Sequence, residues 1–242
     1  MSNGSISYSA TIDGLVFGPI EITTASSKIE NLSIESQDNA LKFSFLLTDV
    51  FDKDEALLET SYLTELIADR ISFQFARKVE NIKCDGWSLP VVGNNRHVVV
   101  RDFALVWDVV NATITPGEET LYNLKLLLES PIQQKDTYFP QFRFACSQRD
   151  PVTKYMFLYN LLLLLHNDKQ ARVDAYILNV EPNTPVFPSP IKDNVNETIY
   201  TKLRNEVAHT RLNASASATV KEIQSKVNAL QIITKKCIEQ QA

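Results

Sequence analysis

Three side chains near the end of the chain have types and spacing suited to chemistry at a phosphate: Arg204, Asn205 and His209, in the run Arg204-Asn205-x-x-x-His209. Histidine titrates near neutral pH, so its ring can take or give a proton. Arginine stays charged and presents a planar fork of donors that meets two phosphate oxygens at once. Asparagine carries one acceptor and two donors, enough to orient the histidine ring or to hold a phosphate oxygen. On a helix, about 100° per residue puts Asn205 and His209 on one face. Arg204 lies about 140° away from His209 and reaches round through its long stem. Nearby, Tyr200 can stack on a base or equally pack in the core, and Lys202 and Arg211 can meet phosphates or simply line a solvated face. The plain alternative for Arg204 and His209 is a surface pair, with Arg204 bridged to Glu206 or Glu197.

A helix must carry this motif. Val195, Ile199, Leu203 and Val207 recur at i+4 and predict one opening near Asp193 or Asn194. That apolar stripe lies off the Asn205/His209 face, so the polar trio is expected to face solvent or a partner. Two helices precede it. The first opens at Pro151 and has a broad apolar face of Tyr155, Leu158, Tyr159, Leu162 and Leu165. It stops at Asn167-Asp168, with His166 as a partner for its C-terminal dipole. The second carries Ala171, Ala175, Tyr176 and Leu178 and ends before Pro182. Pro182, Pro185, Pro188 and Pro190 then mark a loop, because proline at that density forms no helix interior. A last helix, from about Ser215 to Glu239, spaces Val220, Ile223, Val227, Leu230, Thr234 and Cys237 as a heptad seam. It is read first as closing its own bundle and second as a contact between copies.

In this setting the motif resembles the HEPN superfamily, helical domains with an Arg, four to six residues, then a His. In the ribonuclease members the residue after the Arg is commonly Asn, Asp or His. Asn205 and the four-residue spacing fit, as does a unit of four helices with the motif on the third. The resemblance covers roughly residues 145–242 and does not reach the first part of the chain. It implies an all-α four-helix bundle and a metal-independent endoribonuclease with no cofactor, whose catalytic residues are Arg204, Asn205 and His209. It also implies RNA as substrate and a homodimer through the helical domain, in which two motifs face each other and two histidines divide the acid and base roles. By the same resemblance, two-part proteins of this kind serve in bacterial defence or toxin systems, the first domain detecting a protein or phage-derived trigger. Some HEPN domains keep the fold and only bind. The alternative is therefore a non-catalytic module docking a partner protein or nucleic acid.

The first part, residues 1–145, reads as a β-rich sensor or regulatory domain with one helix, so the whole is α+β. Ile6 to Ile12 and Leu15 to Ile22 alternate about Asp13-Gly14, a hairpin signal. Pro19 is expected at an edge or a bulge. Ile29 to Ser36, Ala40 to Thr48, His97 to Trp107 and Leu121 to Leu128 continue the strand pattern. Asp52-Lys-Asp-Glu opens the helix, which runs to about Ala76, although Ile71, Phe73 and Phe75 also fit a strand. No nucleophile–base pair or carboxylate pair stands out here. His97 reads as a solvated loop residue and Trp87 and Trp107 as core.

Composition bounds the rest. The chain has 242 residues, 44% apolar, with a formal charge of −5, which excludes an intrinsically disordered chain. Residues 1–150 hold 13 basic and 21 acidic side chains, and residues 151–242 hold 11 and 8. The motif thus lies in the mildly basic part, which fits an anionic partner. Cys84, Cys146 and Cys237 form no CxxC, so neither a disulfide scaffold nor a zinc site is expected. The longest apolar run, Met156 to Leu165, is too short to span a bilayer of about 20 residues' depth. The opening residues show no basic stretch followed by an apolar one. A cytoplasmic protein without membrane attachment is the expectation.

Overall fold

Alternation along the first strands sets the architecture of the first part. In β1 (Asn3–Ile12) the even-numbered Ile6, Tyr8, Ala10 and Ile12 are buried. In β4 (Ala40–Thr48) the same holds for Leu41, Phe43, Phe45 and Leu47. Period-2 burial of this kind gives a sheet with one apolar face. The computed structural model describes residues 3–91, 97–101, 113–190, 195–209 and 215–241. It divides into two units, Met1–Ile132 and Gln133–Ala242. The first holds an antiparallel six-stranded sheet and the second is helical, so the chain is mixed α+β.

The sheet adds β2 (Phe17–Ile22), β3 (Ile29–Gln37), β5 (Val79–Pro90) and β6 (His97–Arg101), in the order β2-β3-β4-β1-β5-β6. The strand expected beyond Arg101, with Trp107, lies outside the described residues. Asp13-Gly14 does not close a hairpin. β1 is a central strand with β4 on one side and β5 on the other, so β2 pairs with β3 instead. The two-residue hairpin is β3–β4, turning at Asp38-Asn39, where both residues have positive φ (52° and 62°). That is the backbone a right-twisted hairpin needs, and Asp and Asn tolerate it. Pro19 sits on the edge strand β2 within a register shift between Phe17 and Ile20, where a missing N–H costs no ladder bond.

Among the described residues, two helices belong to this unit rather than one. α1 (Lys53–Phe75) starts at Asp52, whose carboxylate accepts from the N–H groups of Asp54 and Glu55, and stops at Ala76 in the left-handed region. Ile71 to Phe75 is therefore helical. The Tyr8 hydroxyl shares a 2.8 Å hydrogen bond with Thr60, joining sheet to helix. α2 (Glu118–Glu129) replaces the strand expected over Leu121 to Leu128. Leu124 and Leu128, four apart, are its buried positions, and leucine is a strong helix former. Its last carbonyls are satisfied from α1. Buried Arg70 donates to Leu127 O, Leu128 O, Ser130 O and Pro131 O at 2.8–3.2 Å.

The second unit holds α3 (Phe139–Ser147), α4 (Pro151–Leu165), α5 (Gln170–Val180), α6 (Ile199–His209) and α7 (Ala216–Glu239). Asp150 caps α4, accepting from Thr153 N and Oγ1 at 2.7 and 2.6 Å. α4 packs against α3, α5, α6 and α7, with Tyr155, Leu158, Tyr159, Leu161 and Leu162 buried. The heptad seam of α7 turns inward. Ile223, Val227, Leu230, Thr234 and Cys237 are buried within the unit, while Val220 is exposed. The proline-rich loop contains β7 (Val186–Pro188), paired antiparallel with β8 (Asn196–Thr198). The motif helix begins after β8, at Ile199, because residues 196–198 are committed to that ladder. The expected start at Asp193 or Asn194 lies outside the described residues. No described helix is long and apolar enough to cross a membrane.

Candidate functional site

α6 is held at its start by a buried carboxylate. Asp174, on α5, accepts through Oδ1 from Thr198 N (3.0 Å), Thr198 Oγ1 (2.7 Å) and Thr201 Oγ1 (2.6 Å). The Thr198 hydroxyl also accepts from Thr201 N at 3.3 Å, three residues on, as an N-terminal cap does. The single hydrogen of the Thr201 hydroxyl goes to Asp174. The 2.6 Å contact between Thr201 and Tyr159 is therefore donated by the tyrosine, from α4. Burial pushes the Tyr159 hydroxyl far above its ordinary range and keeps it a neutral donor. Tyr155, also on α4, donates to the carbonyl of Tyr200 at 2.8 Å. Two tyrosines and one aspartate thus fix the first turn of the helix.

One turn on, the structure brings Arg204 and Asn205 together. Arg204 Nη1 donates to Asn205 Oδ1 at 3.1 Å. The half-buried guanidinium stands 6.0 Å from the centre of the Tyr159 ring. Its Nε is buried and, among the described residues, has no hydrogen-bond partner. Asn205 itself is only 6% exposed. Its Nδ2 donates to Glu197 Oε2 at 3.1 Å and to Gln170 Oε1 at 3.4 Å. Glu197, on β8, is 1% exposed. His209 is the last residue of α6 and is exposed.

This arrangement departs from the helical-wheel expectation in one respect. Ile199 and Leu203 are buried as the stripe requires, and Val207 is half-buried, but Asn205 is buried as well. It does not face solvent. The first turn of α5 and the β8 strand cover that side of the helix with polar atoms, and an amide can be buried there because all its partners are present. His209, four residues later, lies where the helix ends. Asn205 consequently touches Arg204, not the histidine ring.

The flanking residues fare differently. Tyr200 is 2% exposed and its hydroxyl donates to Glu181 Oε2 at 3.0 Å, so neither ring face is open to a base. Lys202 pairs with Glu206 at 3.2 Å and lies 4.9 Å from the Phe187 ring centre. Arg211 lies outside the described residues. Gln170, Asp174, Thr198 and Thr201 had no mark in the sequence and Tyr159 was marked only as part of an apolar face, since each earns its place through a partner distant along the chain. Glu197 was visible only as a candidate ion-pair partner of Arg204; the structure also gives it a bond from Asn205.

Elsewhere, His166 ends α4 with Nε2 3.5 Å from Cys237 Sγ, and burial lowers its pKa. Burial pushes the Cys146 and Cys237 thiols up to about 11, which leaves both without nucleophilic character near neutral pH. Among the described residues no group of three or more His, Cys, Asp or Glu side chains is placed to hold a metal ion. Compared with known proteins, the chain matches no family model, no curated protein and no solved structure.

Proposed function

We propose that the chain is a metal-independent endoribonuclease of HEPN type, acting as a homodimer through a bundle formed by its helical unit. The observation that carries this reading is Arg204: a guanidinium held by Asn205 Oδ1, with a buried Nε unpaired among the described residues, on the helix that ends in exposed His209. A guanidinium has five N–H donors, and one held on Asn205 through Nη1 can meet a phosphate with donors of its outer nitrogens. In the proposed reaction the ribose 2′-oxygen attacks the adjacent phosphorus. One His209 takes the 2′-hydroxyl proton, and the partner's His209 gives a proton to the departing 5′-oxygen. The products are a 2′,3′-cyclic phosphate and a free 5′-hydroxyl. Arg204 meets the extra negative charge of the phosphorane. The sheet-bearing unit would then serve as the sensor for a trigger in a defence or toxin setting.

Incubation of the full chain with RNA in EDTA tests this. Cleavage leaving 2′,3′-cyclic phosphate ends is expected, with none by His209→Ala. A requirement for a divalent metal, or activity that survives His209→Ala, overturns it. The same guanidinium also fits phosphate binding without cleavage. RNA retained by the wild type, uncut, and released by Arg204→Ala would establish that second reading.

A further inference from the structure

Resting on the ribonuclease reading, we propose that Glu197 and Gln170 are positioning residues, which hold Asn205 so that its Oδ1 sets the guanidinium of Arg204. The amide of Asn205 has one orientation that satisfies its neighbours. A carboxylate only accepts, so the atom 3.1 Å from Glu197 Oε2 is Nδ2. A guanidinium only donates, so the atom 3.1 Å from Arg204 Nη1 is Oδ1. Turning the amide over would break both bonds. Gln170 Oε1 takes the remaining Nδ2 hydrogen at 3.4 Å, and both donors of the amide are then used.

Asn205 is thus a bridge and not a substrate contact. Glu197 belongs to β8 and Gln170 opens α5, so the arginine of the motif is referenced to two elements outside its own helix. A free arginine side chain spreads over many rotamers. The bond from Asn205 and the Tyr159 ring beside it restrict that spread before any phosphate arrives, which is what preorganised charge stabilisation requires.

The test is steady-state cleavage of a short RNA by the full chain in EDTA. The variants are Asn205→Ala, Gln170→Ala, Gln170→Glu, Glu197→Ala and Glu197→Gln, each compared with wild type for far-UV circular dichroism and melting. Asn205→Ala is expected to lower kcat by about tenfold to a hundredfold, with KM moved less. Gln170→Ala and Glu197→Ala follow in the same direction. Gln170→Glu and Glu197→Gln keep the accepting oxygen and recover most of what the alanine variants lose. A second readout is chemical rescue. Millimolar guanidinium should restore cleavage to Arg204→Ala, and restore less to the Arg204→Ala/Asn205→Ala pair, because the free ion has lost its anchor. If Glu197→Ala does not fold, the two Gln170 variants and the rescue comparison decide.

Equal rescue in both backgrounds, or alanine variants that cleave like wild type while His209→Ala is inactive, overturns the positioning role alone. A wild type that leaves RNA intact, or a fully active His209→Ala, overturns the ribonuclease reading and this role with it.

Discussion

Replacing Asp174 with alanine removes the acceptor that ties α5 to β8 and α6. Three bonds are lost, at 3.0, 2.7 and 2.6 Å. A bond to a charged group contributes about 1.5–3 kcal/mol net, but the three share one oxygen and do not add. The two threonine hydroxyls stand 3.4 Å apart and can turn to each other, and that of Thr201 keeps its contact with Tyr159. The Thr198 N–H has no such recourse and is left buried without an acceptor. Against this, the variant no longer has to desolvate a carboxylate. The balance is a loss of about 2–4 kcal/mol. With a urea m-value of about 2 kcal/mol/M, the unfolding midpoint should fall by about 1–2 M. Circular dichroism at the helical minimum is the appropriate probe. Asp174→Asn keeps Oδ1 as a neutral acceptor and should lose about half as much. If both variants melt within about 0.5 kcal/mol of wild type, the carboxylate does not hold the helix start and the account of the site's scaffold is wrong.

Three further outcomes are expected. Arg70→Met orphans the carbonyls at the end of α2 and should lower the unfolding free energy, read by tryptophan fluorescence in urea, by about 3 kcal/mol or more, with Arg70→Lys recovering part of it. At pH 8 a thiol with a pKa of about 11 is about 0.1% thiolate, so a disulfide reagent should label half-buried Cys84 first in the native protein and reach Cys146 and Cys237 only on unfolding. Fast labelling of all three would contradict the burial. His166 resists protonation in the fold because of burial first and neighbouring Arg172 second, whereas the unfolded chain takes up that proton near pH 6.5. The folded pKa is depressed, so its contribution is present above pH 6.5 and is lost as the pH falls below that value. His166→Gln should flatten the stability profile between pH 7 and 5, and an unchanged slope would remove His166 as its source.

Local pattern carried far in this chain. The helix starts at Lys53 and Pro151 follow from an aspartate cap and from proline chemistry within a few residues, and the alternation of β1 and β4 marks their buried face directly. The leucines of α2 show where such reading slips. Leu121 to Leu128 satisfies a strand pattern as an apolar run, yet its buried pair is four apart. The end of that helix is satisfied by Arg70, 57 residues from the nearest carbonyl it binds, a partner that no local pattern reveals. Strand order slipped for a related reason. Asp13-Gly14 has hairpin chemistry, but β1 lies in the middle of the sheet, and both its edges are taken by strands from further along the chain.

The motif divides in the same way. That Arg204, Asn205 and His209 ride one helix follows from residue order, since the helical period is set by bonds between residues four apart. Residue order also placed them in the more basic part of the chain. What each side chain touches was decided only by the tertiary structure. Asn205 meets Glu197 and Gln170, eight and 35 residues away, and those contacts turn it from a group expected to face solvent or a partner into a buried bridge. Of the two readings open for Tyr200, a stacking surface or a packed ring, the fold selects the packed ring, because α4 and Glu181 close over it. A periodic backbone makes faces predictable from spacing, but a face becomes buried or open only when distant segments arrive to cover it, and nothing local specifies which segments those are.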